Sequence, residues 1–168
     1  CGIAIARALR DLSYAGVSLK WPNDLLYGGK KLGGILVELT SQSQDYYSFN
    51  IGVGINYDIG SDLNSMGQNL FPPTDLLKIN HDLSICRSEM SGILVRTVIE
   101  SLKNFNQRSI QSAFKFWPEY DALFEKEVKI IEENDILEGK NIGIDHTGAL
   151  LLDDNGAISK VYNGHLVI

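Results

Sequence analysis

Long apolar runs, paired cysteines and an excess of positive charge are all missing from this chain, and each absence removes a class of function. Its unbroken apolar stretches, such as Leu150 to Leu152 and Ile35 to Val37, are a few residues long. A helix needs roughly 20 to cross a bilayer, so no transmembrane segment and no membrane partner are expected. The two cysteines, Cys1 and Cys86, form no CxxC pair and no dense framework, which argues for a reducing, cytoplasmic setting. A formal charge of −6 argues against the basic stripe that tracks a phosphate backbone, so no nucleic-acid binding is expected of this segment. The chain also opens on Cys1-Gly2-Ile3-Ala4 without a starting Met or a signal-peptide layout, and reads as a fragment. With 44% hydrophobic and 21% charged residues in 168, it should bury a core as one domain plus a small appendage.

Periodicity divides the chain. Ile3 to about Tyr14 carries apolar groups at helical spacing, with Gly16 as the expected stop. Strands are expected over Val17 to Lys20, Lys31 to Leu39 and Tyr46 to Gly54, with a hairpin pivoting on Gly28-Gly29. From Asn56 to Pro73 the chain loses periodicity and gathers Gly, Asn and Ser, a long loop of the kind that is usually functional. Helices are expected over Ile85 to Phe105 and from Ser109 towards Trp117, stopped or kinked by Pro118. After Tyr120 come short strands over 127–131, 141–145, 149–152, 158–161 and 166–168. Turns at Thr147-Gly148, Asn155-Gly156 and Asn163-Gly164 separate most of them. So many strands in so short a span fit a small barrel docked on the first domain.

Chemistry concentrates in three blocks, Lys20-Trp21-Pro22-Asn23-Asp24, then Lys30 to Glu38, then Ile51 to Asn56. Gly33, Gly34, Gly52 and Gly54 lie inside strand-like segments. Glycine weakens a strand unless a ligand or another backbone must come close, so two neighbouring strands thinned this way would make a shallow floor for a flat ligand. The alternative is that these glycines mark bulges. Lys31 stands at the start of one such strand, a compact positive charge suited to phosphate or a developing oxyanion, unless the Lys-Lys pair merely solvates a hairpin edge. Asp24 could orient that lysine or help hold Mg²⁺. Trp21 is expected in the core.

The runs KWPND, KKLGGILVEL and IGVGIN, in this order and with these gaps, closely resemble the biotin protein ligases. The stretch from Glu127 to Ile168, with its Gly-Ala-Leu-Leu-Leu hairpin, resembles that family's C-terminal SH3-like barrel. The resemblance implies an α+β fold: a mixed or antiparallel sheet with helices on one side, as in class II aminoacyl-tRNA synthetases, incomplete at its N-terminus. It divides the chain into a catalytic portion at 1–120 and a barrel at 121–168.

It also implies the reaction: activation of biotin with ATP and Mg²⁺ to biotinyl-5′-AMP, then transfer to a lysine of a biotin carboxyl carrier protein. Lys31 matches the family's catalytic and biotin-contacting lysine. Gly34, Leu36, Gly52, Gly54 and Ile55 match its biotin pocket. Asn23, Asp24 and Asn56 match its nucleotide and metal side. Leu63, Met66 and Leu70 match a segment that folds over the adenylate, and the family's habits leave room for a homodimer through the central sheet.

The sequence departs from the family in one respect that bears on activity. The glycine- and arginine-rich biotin loop is absent from these residues; the arginines are Arg7, Arg10, Arg87, Arg96 and Arg108, none in a Gly-Arg-Gly setting. The 168-residue chain alone is therefore expected to have little or no ligase activity. His165 stands where the family tends to place an acidic residue, and is expected to be a solvated barrel position. Two other readings stay open at this point: a lipoate protein ligase, which also makes an acyl adenylate, and a non-catalytic binding or regulatory module.

Overall fold

The computed structural model describes residues 1–44, 46–60, 70–82, 85–132 and 135–167, with the side chain of Asp135 left aside. The expected α+β architecture is present, in two antiparallel sheets. The first has the order β1(Val17–Lys20), β2(Asp24–Tyr27), β3(Lys30–Gln42), β4(Tyr47–Ile55). One face is covered by α1(Gly2–Asp11) and α3(Arg87–Lys103), whose Ile5, Ala6, Leu9, Met90 and Leu94 pack with Val17, Leu19, Leu25 and Ile35 of the sheet. Gly28 and Gly29 both take positive φ, 56° and 75°, which is why this dipeptide can turn β2 directly into β3. The first helix ends sooner than expected: Ser13, at φ 75°, turns the chain well before Gly16.

Two further helices complete this half. The short α2(Leu76–Ile79) is started by Asp75, whose carboxylate accepts from the Lys78 N–H at 2.7 Å; an Asp ahead of Leu-Leu is an N-cap signature that the sequence reading passed over. The next, α4(Gln107–Tyr120), carries Pro118 in its last turn and ends at Tyr120. The helix thus runs two residues past Pro118 before it stops, and burial of Trp117 and Tyr120 against the core holds that last turn.

The second sheet has the order β8(Ala157–Val161), β7(Leu150–Asp154), β6(Asp135–Ile144), β5(Glu127–Glu132), β9(His165–Val167). Its buried residues alternate, Val128 and Ile130 on β5 and Leu150 and Leu152 on β7, so one face makes the core of a small barrel-like unit. A polar latch joins the two halves. Asp121, next to the end of α4, accepts from the Trp117 indole at 3.0 Å, the Leu123 N–H at 2.9 Å and the Asn141 amide at 2.9 Å. Asn141, fully buried, in turn accepts from the Gly143 N–H at 2.9 Å. Each buried polar group here has a partner, which is the condition under which such a network stabilises rather than costs.

Candidate active site

The site is decided by one irregularity of pairing. Asp24 lies opposite Gly34 and Leu25 opposite Gly33, but Leu26 lies opposite Lys31, so Leu32 is one residue too many on β3. Side chains alternate along a strand, and without this bulge Lys31 would share a face with Gly33 and Ile35, towards the helices. The surplus residue turns it onto the face of Asp24, Gly34 and Leu36, while Leu32 itself is fully buried. On the next strand, Gly54 lies opposite Gly34 and Gly52 opposite Leu36. Asn23, Asp24, Lys31, Gly34, Leu36, Gly52 and Gly54 thus line one open cleft of about 550 Å³.

Three of the four glycines make its floor. A Cβ at Gly54 would meet nothing within 4 Å, one at Gly52 only Leu36 at 3.9 Å, and one at Gly34 only the Asn23 carbonyl and the Asp24 carboxylate, at 3.5 and 3.7 Å. Nothing in the fold demands the missing side chains at these positions. Gly33 differs: a Cβ there would stand 2.2 Å from the Gly54 carbonyl oxygen. It lets the β3 and β4 backbones approach closely and contributes nothing to the floor.

Charge gathers at the cleft's edge. The Lys31 ammonium lies 2.6 Å from Asp24 Oδ1 and the Lys20 ammonium 2.7 Å from Oδ2. Burial pushes the Asp24 carboxyl up, but hydrogen bonds and charge from Lys20 and Lys31 outweigh it and hold the group below the usual carboxylate range. Two cations on one anion leave the cluster net positive. Lys20 is buried beneath the Phe71 ring, 5.2 Å from its centroid, whereas the Lys31 side chain is 47% exposed. Lys31 is therefore the cation that can meet a carboxylate or phosphate in the cleft. Lys20 lay in the KWPND block without an assigned role; the tight turn that sets it opposite Asp24 is the signal that was available.

The remaining expected residues divide. Asn23 is exposed at the rim, and its carbonyl accepts from the Ile35 N–H at 2.9 Å. The Asn56 amide is engaged in the scaffold, donating to the Thr74 carbonyl at 2.9 Å and to the Lys31 carbonyl at 3.3 Å. The Lys31 backbone also pairs with the segment around Pro73, through Lys31 N–H to the Pro72 carbonyl and Thr74 N–H to the Lys31 carbonyl, both 2.9 Å. Asn56 thus anchors the lysine's backbone. Ile55 lies opposite Gly33, on the helix side of the sheet, beside Met90 and Leu94; the same parity that brings Gly54 to the floor takes Ile55 away from it. Of the three apolar cover residues, Leu63 and Met66 lie outside the described residues, and Leu70 is exposed. Trp21 is buried, as its size suggested.

An antiparallel sheet layered with helices, a barrel-like appendage and a glycine-floored cationic cleft match a known class. Residues 1–56 match the biotin/lipoate A/B protein ligase family. Residues 123–164 match the biotin protein ligase C-terminal domain, and this second match separates biotin from lipoate. The chain is 33% identical over 165 residues to the bifunctional ligase/repressor BirA of Escherichia coli (strain K12), covering 98% of this chain and 50% of that protein. It is 31% identical over 172 residues to biotin–protein ligase 2 of Arabidopsis thaliana, covering 91% and 48%. Among solved structures, the biotin protein ligase from Aquifex aeolicus in complex with biotin and ATP superposes with a TM-score of 0.80 at 26% identity. That match covers 99% of this chain and 67% of the other. Over nearly its whole length the chain is similar to the biotin protein ligases. It spans about half the length of the curated relatives it matches.

Proposed function

We propose that this chain supplies the glycine floor and the catalytic lysine of a biotin protein ligase, within a catalytic portion at 1–120, and that its barrel at 121–168 docks beside them. The observation that carries this reading is the bulge at Leu32, which sets the Lys31 ammonium over Gly34, Gly52 and Gly54 on one face. A flat bicyclic vitamin suits a floor without side chains, with Leu36 as its apolar contact. In the first step a biotin carboxylate oxygen bonds to the α-phosphorus of ATP and the bond to pyrophosphate breaks, giving biotinyl-5′-AMP. In the second, the lysine amine of a biotin carboxyl carrier protein bonds to the acyl carbon, AMP leaves, and the amine gives up a proton. Lys31 holds the negative oxygens of both steps without becoming covalently attached; fixed charge and positioning are the means of rate enhancement. Asn23 and Asp24 stand at the nucleotide end, and Asn56 holds the backbone of Lys31 rather than touching substrate.

A resident magnesium ion does not fit these residues. Both oxygens of Asp24 already face an ammonium, and among the described residues no group of three or more His, Cys, Asp or Glu could hold a metal. Magnesium enters as the companion of the ATP phosphates, part of the substrate. The two free cysteines, Cys1 and Cys86, suit a reducing cytoplasm, and among the described residues no helix is long and apolar enough to cross a membrane. Strand β4 pairs only with β3 among the described residues, and its other edge is where a second copy would join.

Titration of the labelled chain with biotin and with lipoate, read as amide shifts, tests the reading. Biotin should move Gly34, Gly52 and Gly54 together; no movement there, or a larger response to lipoate, would overturn it. No arginine lines the cleft among the described residues, so the 168 residues alone should transfer biotin to a carrier domain slowly or not at all. Efficient transfer would refute that part.

A further inference from the structure

The turn between β6 and β7 is more heavily braced than a barrel hairpin needs. The Asp145 carboxylate accepts from the Thr147 N–H at 2.7 Å, the Thr147 hydroxyl, the Ala149 N–H at 3.2 Å and the Lys160 ammonium at 2.8 Å. The Asp145 carbonyl accepts the Gly148 N–H, and its N–H donates to the Ala149 carbonyl, both at 2.9 Å. Gly148 sits at φ +87°. The direction of the Gly148 carbonyl is thereby fixed.

That carbonyl leaves the barrel. It accepts the indole N–H of Trp21 at 3.1 Å, and Trp21 is buried between Lys20 and the Pro22-Asn23-Asp24 turn. A buried indole N–H without an acceptor is costly, so if the barrel turn moves, Trp21 must move with it. Lys20 and Asp24 pair across the same tight turn, whose Asn23 carbonyl takes the Ile35 N–H. The barrel also reaches the site directly: its Ile144 lines one cavity with Lys20, Asn23 and Asp24.

We propose that the β6–β7 turn is the positioning element for the Lys20–Asp24 end of the cleft, acting through the Gly148 carbonyl and the Trp21 indole, with Asp145 as the positioning residue. Its meaning for catalysis rests on the ligase reading; the mechanical coupling does not.

The test needs no ligand. The full chain has two tryptophans, so its indole N–H spectrum carries one reporter, Trp21, and one reference, Trp117, which is held by Asp121. In Asp145→Ala the Trp21 indole signal should shift. It and the Ile35 amide should exchange with solvent at least about fivefold faster, the factor roughly one neutral hydrogen bond carries. The Trp117 indole and the Gly143 amide inside the barrel should keep their wild-type behaviour. Asp145→Asn, whose side-chain carbonyl still accepts from Thr147 and Ala149, should return Trp21 most of the way. An unmoved Trp21 and Ile35 would overturn the proposal. So would both indoles moving together, which is general loosening. Titration of the wild-type chain with biotin and ATP tests the ligase reading separately, so the two can fail independently.

Discussion

Two glycines one strand apart allow fold and function to be pulled apart by the same small change. At Gly54 the backbone is outside the left-handed region and an added methyl meets nothing within 4 Å. Replacing glycine by alanine at such a position raises stability by about 0.4–1 kcal/mol, chiefly by restricting the unfolded chain. The same methyl stands in the floor of the cleft, where a ligand in van der Waals contact would have to ride up over it. Overpacking of that kind costs about 1–3 kcal/mol, or roughly 5- to 150-fold in affinity. At Gly33 the methyl would lie 2.2 Å from the Gly54 carbonyl oxygen, and β3 and β4 must part there. The same range of about 1–3 kcal/mol is then taken from the fold, roughly 2–12 °C in Tm for a chain of this size. Thermal unfolding and biotin titration of Gly54→Ala and Gly33→Ala should therefore give opposite patterns: a stable fold with weak binding, and a weakened fold. A Gly54→Ala protein that binds biotin as the wild type does would remove the floor and with it the site.

Four further outcomes follow from the same geometry. Lys31→Met keeps the aliphatic stem of a half-exposed side chain and should change Tm by no more than about 2 °C, roughly 0.5 kcal/mol, while biotin and ATP binding fall at least about tenfold; preserved binding would refute the assignment of Lys31. Asp24→Asn leaves the buried Lys20 ammonium without its counter-charge and should cost about 1–3 kcal/mol near neutral pH. Because the folded Asp24 carboxyl ionises below its usual range, its stabilisation is full above the unfolded value of about 3.9 and is lost as pH falls below it towards the folded value. The gap between wild type and variant in Tm should close across that window and not at pH 6. Asn141→Ala orphans the Gly143 N–H and one Asp121 contact and should lower stability by about 2–4 kcal/mol in denaturant titration; a neutral result would mean the latch holds nothing. Tyr14 is fully buried, its hydroxyl finds no hydrogen-bond partner among the described residues, and burial, with the neighbouring Tyr57, pushes its pKa up to about 12. Tyr14→Phe should raise Tm by a few degrees at most, and a marked loss of stability would show that the hydroxyl is satisfied after all.

The blocks that carry the site were readable because their residue types are unusual for strands: glycine where β-branched residues belong, and a lysine where the chain enters the sheet. Which of them share a face was not readable. Strand parity counted from the text assigns Lys31 to the side of Gly33, and only the pairing of Leu26 with Lys31 reverses it. The same arithmetic explains why Ile55 falls on the helix side and why Gly33 serves packing. Asn56 was legible through the resemblance as a nucleotide-side residue but not as an anchor, because its partners Thr74 and Lys31 are 18 and 25 residues away. Helix ends at Asp11 and Tyr120 were set by the left-handed backbone at Ser13 and by tertiary burial, neither of which local propensity reports.

The surplus position in the third strand has a consequence for anyone comparing lengths rather than letters. Cutting out Leu32 would restore regular alternation with Lys31 still on the side of Gly34, because residue 31 would then stand directly before Gly33, but the layer beneath the helices would lose a fully buried leucine. Such a deletion should therefore register as lost stability, on the order of the 2–5 kcal/mol that removal of a buried leucine side chain costs, while the amine keeps its orientation.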